Sequence, residues 1–144
     1  MTERVEISAV WLPQDQTLVG PLLVEWAPMF EAYWRKARPE GYPDYGFNEE
    51  QFVRGWPARA LVPVIARVDG RPVGFLILYM SGNLFCDVRN VYMSHVYAEP
   101  GMSHLKLPTL TKNYLMQLFA TLNVDFAYND GRRGMTLFYK KGGR

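Results

Sequence analysis

The chain is poor in the residues that carry redox and metal chemistry: among its 144 residues are one cysteine, Cys86, and two histidines, His95 and His104. A single thiol excludes an internal disulfide, and one cysteine with two histidines falls short of a structural zinc set, so no metal site is expected. Such cysteine usage fits a reducing compartment, and a cytoplasmic location is expected. Long apolar runs are also missing. The longest uncharged stretch, residues 72–86, is too short for a bilayer span and contains Gly74 and Gly82. The opening MTERVE lacks the apolar segment of a secretion signal. No charge of one sign dominates: 16 basic against 14 acidic residues give +2, too small an excess for a nucleic-acid coat. No Walker loop and no dinucleotide-binding glycine pattern occurs, because Gly74 sits within an apolar strand pattern.

What is present is apolar mass. Hydrophobic residues make up 49% and aromatic residues 15%, enough to bury a core and to exclude wholesale disorder. The length predicts a single domain over residues 1–144. The charge is uneven: Arg132, Arg133, Lys140, Lys141 and Arg144 crowd the last segment, while the first 131 residues carry net −3. A basic end on a mildly acidic body suits an anionic ligand, or it is a solvated face.

The patterning predicts nine elements. Residues 5–12 (VEISAVWL) alternate as a strand. Gly20-Pro21 opens a helix whose stripe is Leu22, Leu23, Trp26, Phe30, Tyr33 and Ala37, with a kink or break expected at Pro28. Asn48, with Gln51 three residues on, caps a second helix that stops near Trp56-Pro57. Residues 61–68, 71–80 and 86–98 read as three strands, the first two joined by the hairpin signal Asp69-Gly70. A helix follows to Asn123 with Leu107, Leu110, Tyr114, Leu118 and Leu122 on one face. Residues 124–128 form a short strand and residues 133–141 a final helix. The expected fold is thus a mixed α/β sheet: an antiparallel three-strand meander followed by helix, strand and helix.

Three segments in this order resemble the Gcn5-related N-acetyltransferase superfamily: residues 64–79 (VIARVDGRPVGFLILY), residues 91–100 (VYMSHVYAEP) and residues 135–142 (MTLFYKKG). The resemblance covers nearly the whole chain and extends to small acetyltransferase-like proteins of tailed phages. It implies transfer of an acetyl group from acetyl-CoA to an amine-bearing small molecule or protein. The family's cofactor loop, Arg/Gln-x-x-Gly-x-Gly/Ala, is replaced here by residues 101–110 (GMSHLKLPTL), where Ser103, Lys106 and Pro108 stand at the basic and small positions. Proline removes an N–H donor and a side chain at a glycine position obstructs close backbone approach. The helix start with Ser103, His104, Lys106 and Thr109 remains as a phosphate site, and Val96 and Asn129 are expected along the cofactor.

The resemblance assigns Tyr139, in its expected final helix, the role of acid for the departing thiolate; the alternative is a packed ring. Asn129 matches the family's asparagine, but ten residues separate it from Tyr139, three more than the pattern. His95, Glu99 and Asp87 are candidate bases, and His95 and Asp87 share a strand face if no bulge intervenes. Glu99 reads equally as a loop carboxylate. Cys86 reads as a buried strand thiol. Tyr42, Tyr45, Phe47 and Trp56 form an aromatic region that covers an acceptor site or anchors a protein partner. The alternative function is a catalytically inactive member of the fold acting as an interaction or virion-structural protein, in a host cytoplasm or virion. Membrane association is not expected, and nucleic acid is a weak third reading.

Overall fold

The computed structural model describes residues 3–56, 60–131 and 134–142. Strand β1 (Val5–Ala9) is followed by a 3-10 turn (Gln16–Leu18), α1 (Val19–Ala37), α2 (Glu49–Gly55), β2 (Leu61–Val68), β3 (Arg71–Ser81) and β4 (Asn90–Ala98). A second 3-10 turn (Ser103–Leu105), α3 (Leu107–Thr121), β5 (Phe126–Gly131) and β6 (Gly134–Lys140) complete it. The strands form one six-stranded sheet in chain order. Every neighbouring pair is antiparallel except β4–β5, which is parallel and joined by the α3 crossover.

The meander lies where the alternating residues place it. Asp69 and Gly70, with φ of 50° and 83°, make the tight β2–β3 turn. On one face of the sheet Val62, Val64, Leu76, Leu78, Val91 and Met93 pack against Leu115 and Phe119 of α3. On the other, Leu61, Ile65, Phe75 and Ile77 pack against Trp26, Met29 and Phe30 of α1 and Phe52 of α2. Each strand therefore feeds two cores, which is why these runs are nearly continuously apolar. Asn48 caps α2 as expected, accepting from the Gln51 backbone N–H at 3.0 Å. The Tyr114 hydroxyl of α3 accepts from the Ala9 N–H at 2.6 Å, tying the helix to β1.

Four expectations are corrected. Residues 134–140, expected as a helix, form β6, antiparallel to β5; Arg133 lies outside the described residues. Pairing with the open edge of β5 satisfies this backbone, and its aromatic and β-branched content suits a strand. Of the kink or break expected at Pro28, the break does not occur and α1 runs through as one helix; Val24, whose carbonyl the proline cannot serve, is 75% exposed. The buried face of α3 is Leu107, Leu115 and Phe119, one stripe over from that expected: Tyr114, Leu118 and Leu122 are half-buried and Leu110 is exposed. Strand β4 begins at Asn90 rather than at Cys86, which is exposed.

At Gly74 of β3 a Cβ would lie 2.9 Å from the Tyr97 carbonyl oxygen of β4. Gly74→Ala is expected to force the strands apart and cost about 1–3 kcal/mol, read as a lowered Tm in thermal denaturation.

Candidate functional site

The site originates in a fault of the β3–β4 ladder. Phe75 pairs with Tyr97 and Ile77 with Ser94, so Leu76 opposes both His95 and Val96. His95 takes the extra place with φ of 57°. Such a bulge bends its strand and redirects a side chain. On the opposite edge of β4 the parallel ladder to β5 ends at Met93↔Asn129, although β4 continues to Ala98. Residues 94–98 therefore leave backbone groups facing β5 without a ladder partner, and the two strands part.

A cavity opens on each face of this parting. On the α3 face a cavity of about 250 Å³ is lined mainly by apolar side chains, with Val96, Asn129, Thr111 and Lys112 along it. On the α1–α2 face a cleft of about 660 Å³ is walled by aromatic rings and floored by His95 and Tyr79. Phe75 lines both.

His95 is the best-furnished group between them. Its Nδ1 lies 2.9 Å from the Tyr33 hydroxyl. The rings of Tyr33 and Tyr79 meet its imidazole edge-on, at centroid distances of 5.5 and 5.8 Å. Burial of the imidazole pushes its pKa below the ordinary 6.5, partly opposed by the Asp130 carboxylate. Burial raises the Tyr33 and Tyr79 phenols, and Asp130 adds to the rise at Tyr33. At neutral pH the imidazole is therefore uncharged. In the tautomer that carries its proton on Nδ1, the ring donates to the Tyr33 hydroxyl and Nε2 is the accepting nitrogen.

The other sequence candidates are spread around this centre. Glu99 does not reach His95: its carboxylate pairs with Arg71 at 2.6 Å and its N–H donates to Val73. Asp87 lies outside β4, lining a separate polar hollow with Arg89 and Asp125, so it shares no face with His95. Ser103 opens the 3-10 turn before α3, Lys106 forms the junction with φ of 53°, and Thr109 is exposed in the first turn of α3. Lys106 thus adopts the left-handed conformation that glycine favours. Pro108 in that first turn withholds one N–H from any anion there. Tyr139 stands on β6 opposite Ala127, two rungs from the end at which the β4–β5 ladder stops, with its ring 5.4 Å from that of Phe119. It is neither on a helix nor among the residues lining the two cavities. Of the aromatic region, Tyr42, Tyr45 and Phe47 wall the cleft, whereas Trp56 is buried and donates to the Val10 carbonyl. Within the basic end, Lys140 and Lys141 are exposed; Arg132, Arg133 and Arg144 lie outside the described residues.

Sequence reasoning left Asp130 and Tyr33 without a part in the site. Asp130 belonged to the turn-like run Asn129-Asp-Gly and Tyr33 to the apolar stripe of α1. Only the fold brings Tyr33 of α1 to the His95 imidazole and lets the Asp130 charge at the end of β5 act on it. Among the described residues, no helix is long and apolar enough to cross a membrane.

No family model and no curated protein sequence matches the chain. Solved structures do. A GCN5-related N-acetyltransferase from Ralstonia eutropha superimposes with a TM-score of 0.65 at 13% identity, covering 89% of this chain and 84% of the other. A predicted acetyltransferase with acetyl-CoA from Clostridium acetobutylicum gives 0.62 at 13% identity, over 91% and 84%. An aminoglycoside acetyltransferase from an uncultured soil metagenomic sample, in complex with sisomicin, gives 0.66 at 12% identity, over 90% and 78%. The chain therefore has the fold of the Gcn5-related N-acetyltransferases.

Followed by NMR, the His95 imidazole is expected to titrate below pH 6.5. Asp130→Asn should move it lower still, because it removes the one charge that favours the protonated ring.

Proposed function

We propose that the protein is an N-acetyltransferase of the Gcn5-related superfamily that moves an acetyl group from acetyl-CoA to an amine. The observation that carries this is the parting of β4 and β5 beyond Met93 and Asn129, with a cavity on each face and His95 between them. The fold it shares with acetyltransferases, one of them holding acetyl-CoA, supports the same reading.

The residues present fit such a cosubstrate. Acetyl-CoA supplies the activated acetyl thioester. The unpaired backbone of residues 94–98, beside Val96 and Asn129, offers hydrogen bonds to an amide-bearing arm. Lys106, Ser103 and Thr109 stand around the start of α3, where unbonded N–H groups and the helix dipole favour phosphate. His95, neutral at pH 7, takes a proton from the incoming amine at Nε2, and Tyr33 holds the ring in register. Glu99 is engaged with Arg71 and has no part in this reading. Tyr139 is a packing residue in it, and the departing thiolate takes its proton from water.

Turnover should fall through an acid limb below pH 6.5, where His95 protonates, in a pH–rate profile. His95→Gln should lower kcat roughly 10²-fold with the affinity for CoA retained. Tyr139→Phe should hold kcat within about twofold; a 10²-fold drop would return the acid role to that phenol. Isothermal titration should show CoA binding, weakened at least tenfold by Lys106→Glu, which reverses a charge beside a phosphate.

The second reading, an inactive member of the fold that serves as an interaction or virion protein, draws on Lys106 and Pro108 at the start of α3. Absence of CoA binding at millimolar concentration would establish that reading over the first.

A further inference from the structure

The cleft on the α1–α2 face has a chemical character of its own. Nine phenylalanine, tyrosine and tryptophan rings line it, among them those of Phe30, Tyr33, Trp34, Tyr42, Phe47 and Phe52. They are fixed by one another: Phe30 stacks on Phe47 at 5.1 Å, and Trp34 meets Tyr42 at 5.9 Å while its indole N–H donates to the Pro43 carbonyl at 3.0 Å. The polar side chains at the rim are already engaged. Asn48 and Gln51 bond each other through the α2 cap, and the Asp44 carboxylate is paired with Arg38. At the inner end stands His95, bonded to the Tyr33 hydroxyl. Outward of it the lining is flat and aromatic, and the carboxylate among its described residues, Asp44, is the one already paired. Aromatic faces attract another ring. A polyamine would have to place its further amino groups in a cleft that offers them no unpaired carboxylate among the described residues.

We propose that the cleft selects a small monoamine on a flat apolar body, an arylalkylamine by chemical class, with its amino group at His95 and its ring against Tyr42 and Phe47. This rests on the acetyl-transfer reading and names its acceptor. The amine nitrogen forms the C–N bond as the thioester C–S bond breaks. The nitrogen gives up one proton, to His95, and the thiolate leaves to take one from water. The neighbour that holds the aminoglycoside sisomicin shares the backbone frame; in this chain the carboxylate that lines the cleft, Asp44, is already paired with Arg38.

The test separates the acceptor class from the chemistry by measuring binding and turnover apart. Calorimetry on the full chain should give 2-phenylethylamine and tryptamine a Kd at least tenfold lower than spermidine or sisomicin. Tyr42→Ala and Phe47→Ala, at exposed rim positions, should each weaken the aromatic amines at least fivefold with Tm held. Thiol release from acetyl-CoA should follow the same rank order of amines. Spermidine or sisomicin binding as tightly as the aromatic amines, or no aromatic amine binding at all, overturns the proposal. Preferential binding of the aromatic amines without thiol release upholds the cleft's selectivity and removes acetyl transfer. Thiol release that is faster with the polyamines upholds acetyl transfer and overturns the acceptor class.

Discussion

The bulge at His95 and Val96 is the constraint on which the site depends. By placing two residues of β4 opposite Leu76, it changes the course of the strand at the level where its ladder to β5 ends. A regular strand could have continued its pairing with β5 and closed the sheet. The same fault turns His95 toward α1, where Tyr33 meets it. It lies beside Gly74, where a Cβ would press on the Tyr97 carbonyl. Parting of the strands, orientation of the imidazole and the need for glycine are three aspects of one local geometry.

The two faces of the sheet then divide the work. Under α3 the lining is aliphatic and narrow, suited to a flexible chain whose polar groups bond along the freed edge of β4. Under α1 and α2 it is aromatic and wide, suited to a flat ligand. In the proposed reaction a cosubstrate on one face would meet an acceptor on the other beside Phe75, which lines both cavities, so their proximity would be set by the sheet rather than by a flexible loop.

Much of this was legible in the residues, for identifiable reasons. The meander could be read because alternation and the Asp69-Gly70 turn are local signals, and the α2 cap because Asn48 and Gln51 lie three residues apart. His95 was marked by its chemistry. The last strand was misread because residues 134–140 owe their conformation to β5, which a short window does not contain, and Tyr139 was carried with them into a helix that does not form. On α3 two apolar stripes run side by side, and only the sheet decides which one is buried. Asp130 escaped notice because a carboxylate in an Asn-Asp-Gly run says nothing of the imidazole that the fold sets across from it.

The hydroxyl of Tyr114 bears on a different matter. Strand β1 is an outer strand, and open outer strands are templates for other chains. Here the strand is only five residues long, and the outward N–H of Ala9 is already taken by a side chain from α3. A foreign strand seeking to extend the sheet on that side must first displace a helix-borne hydrogen bond. The contact that anchors α3 over its core therefore also guards the protein against edge-to-edge aggregation.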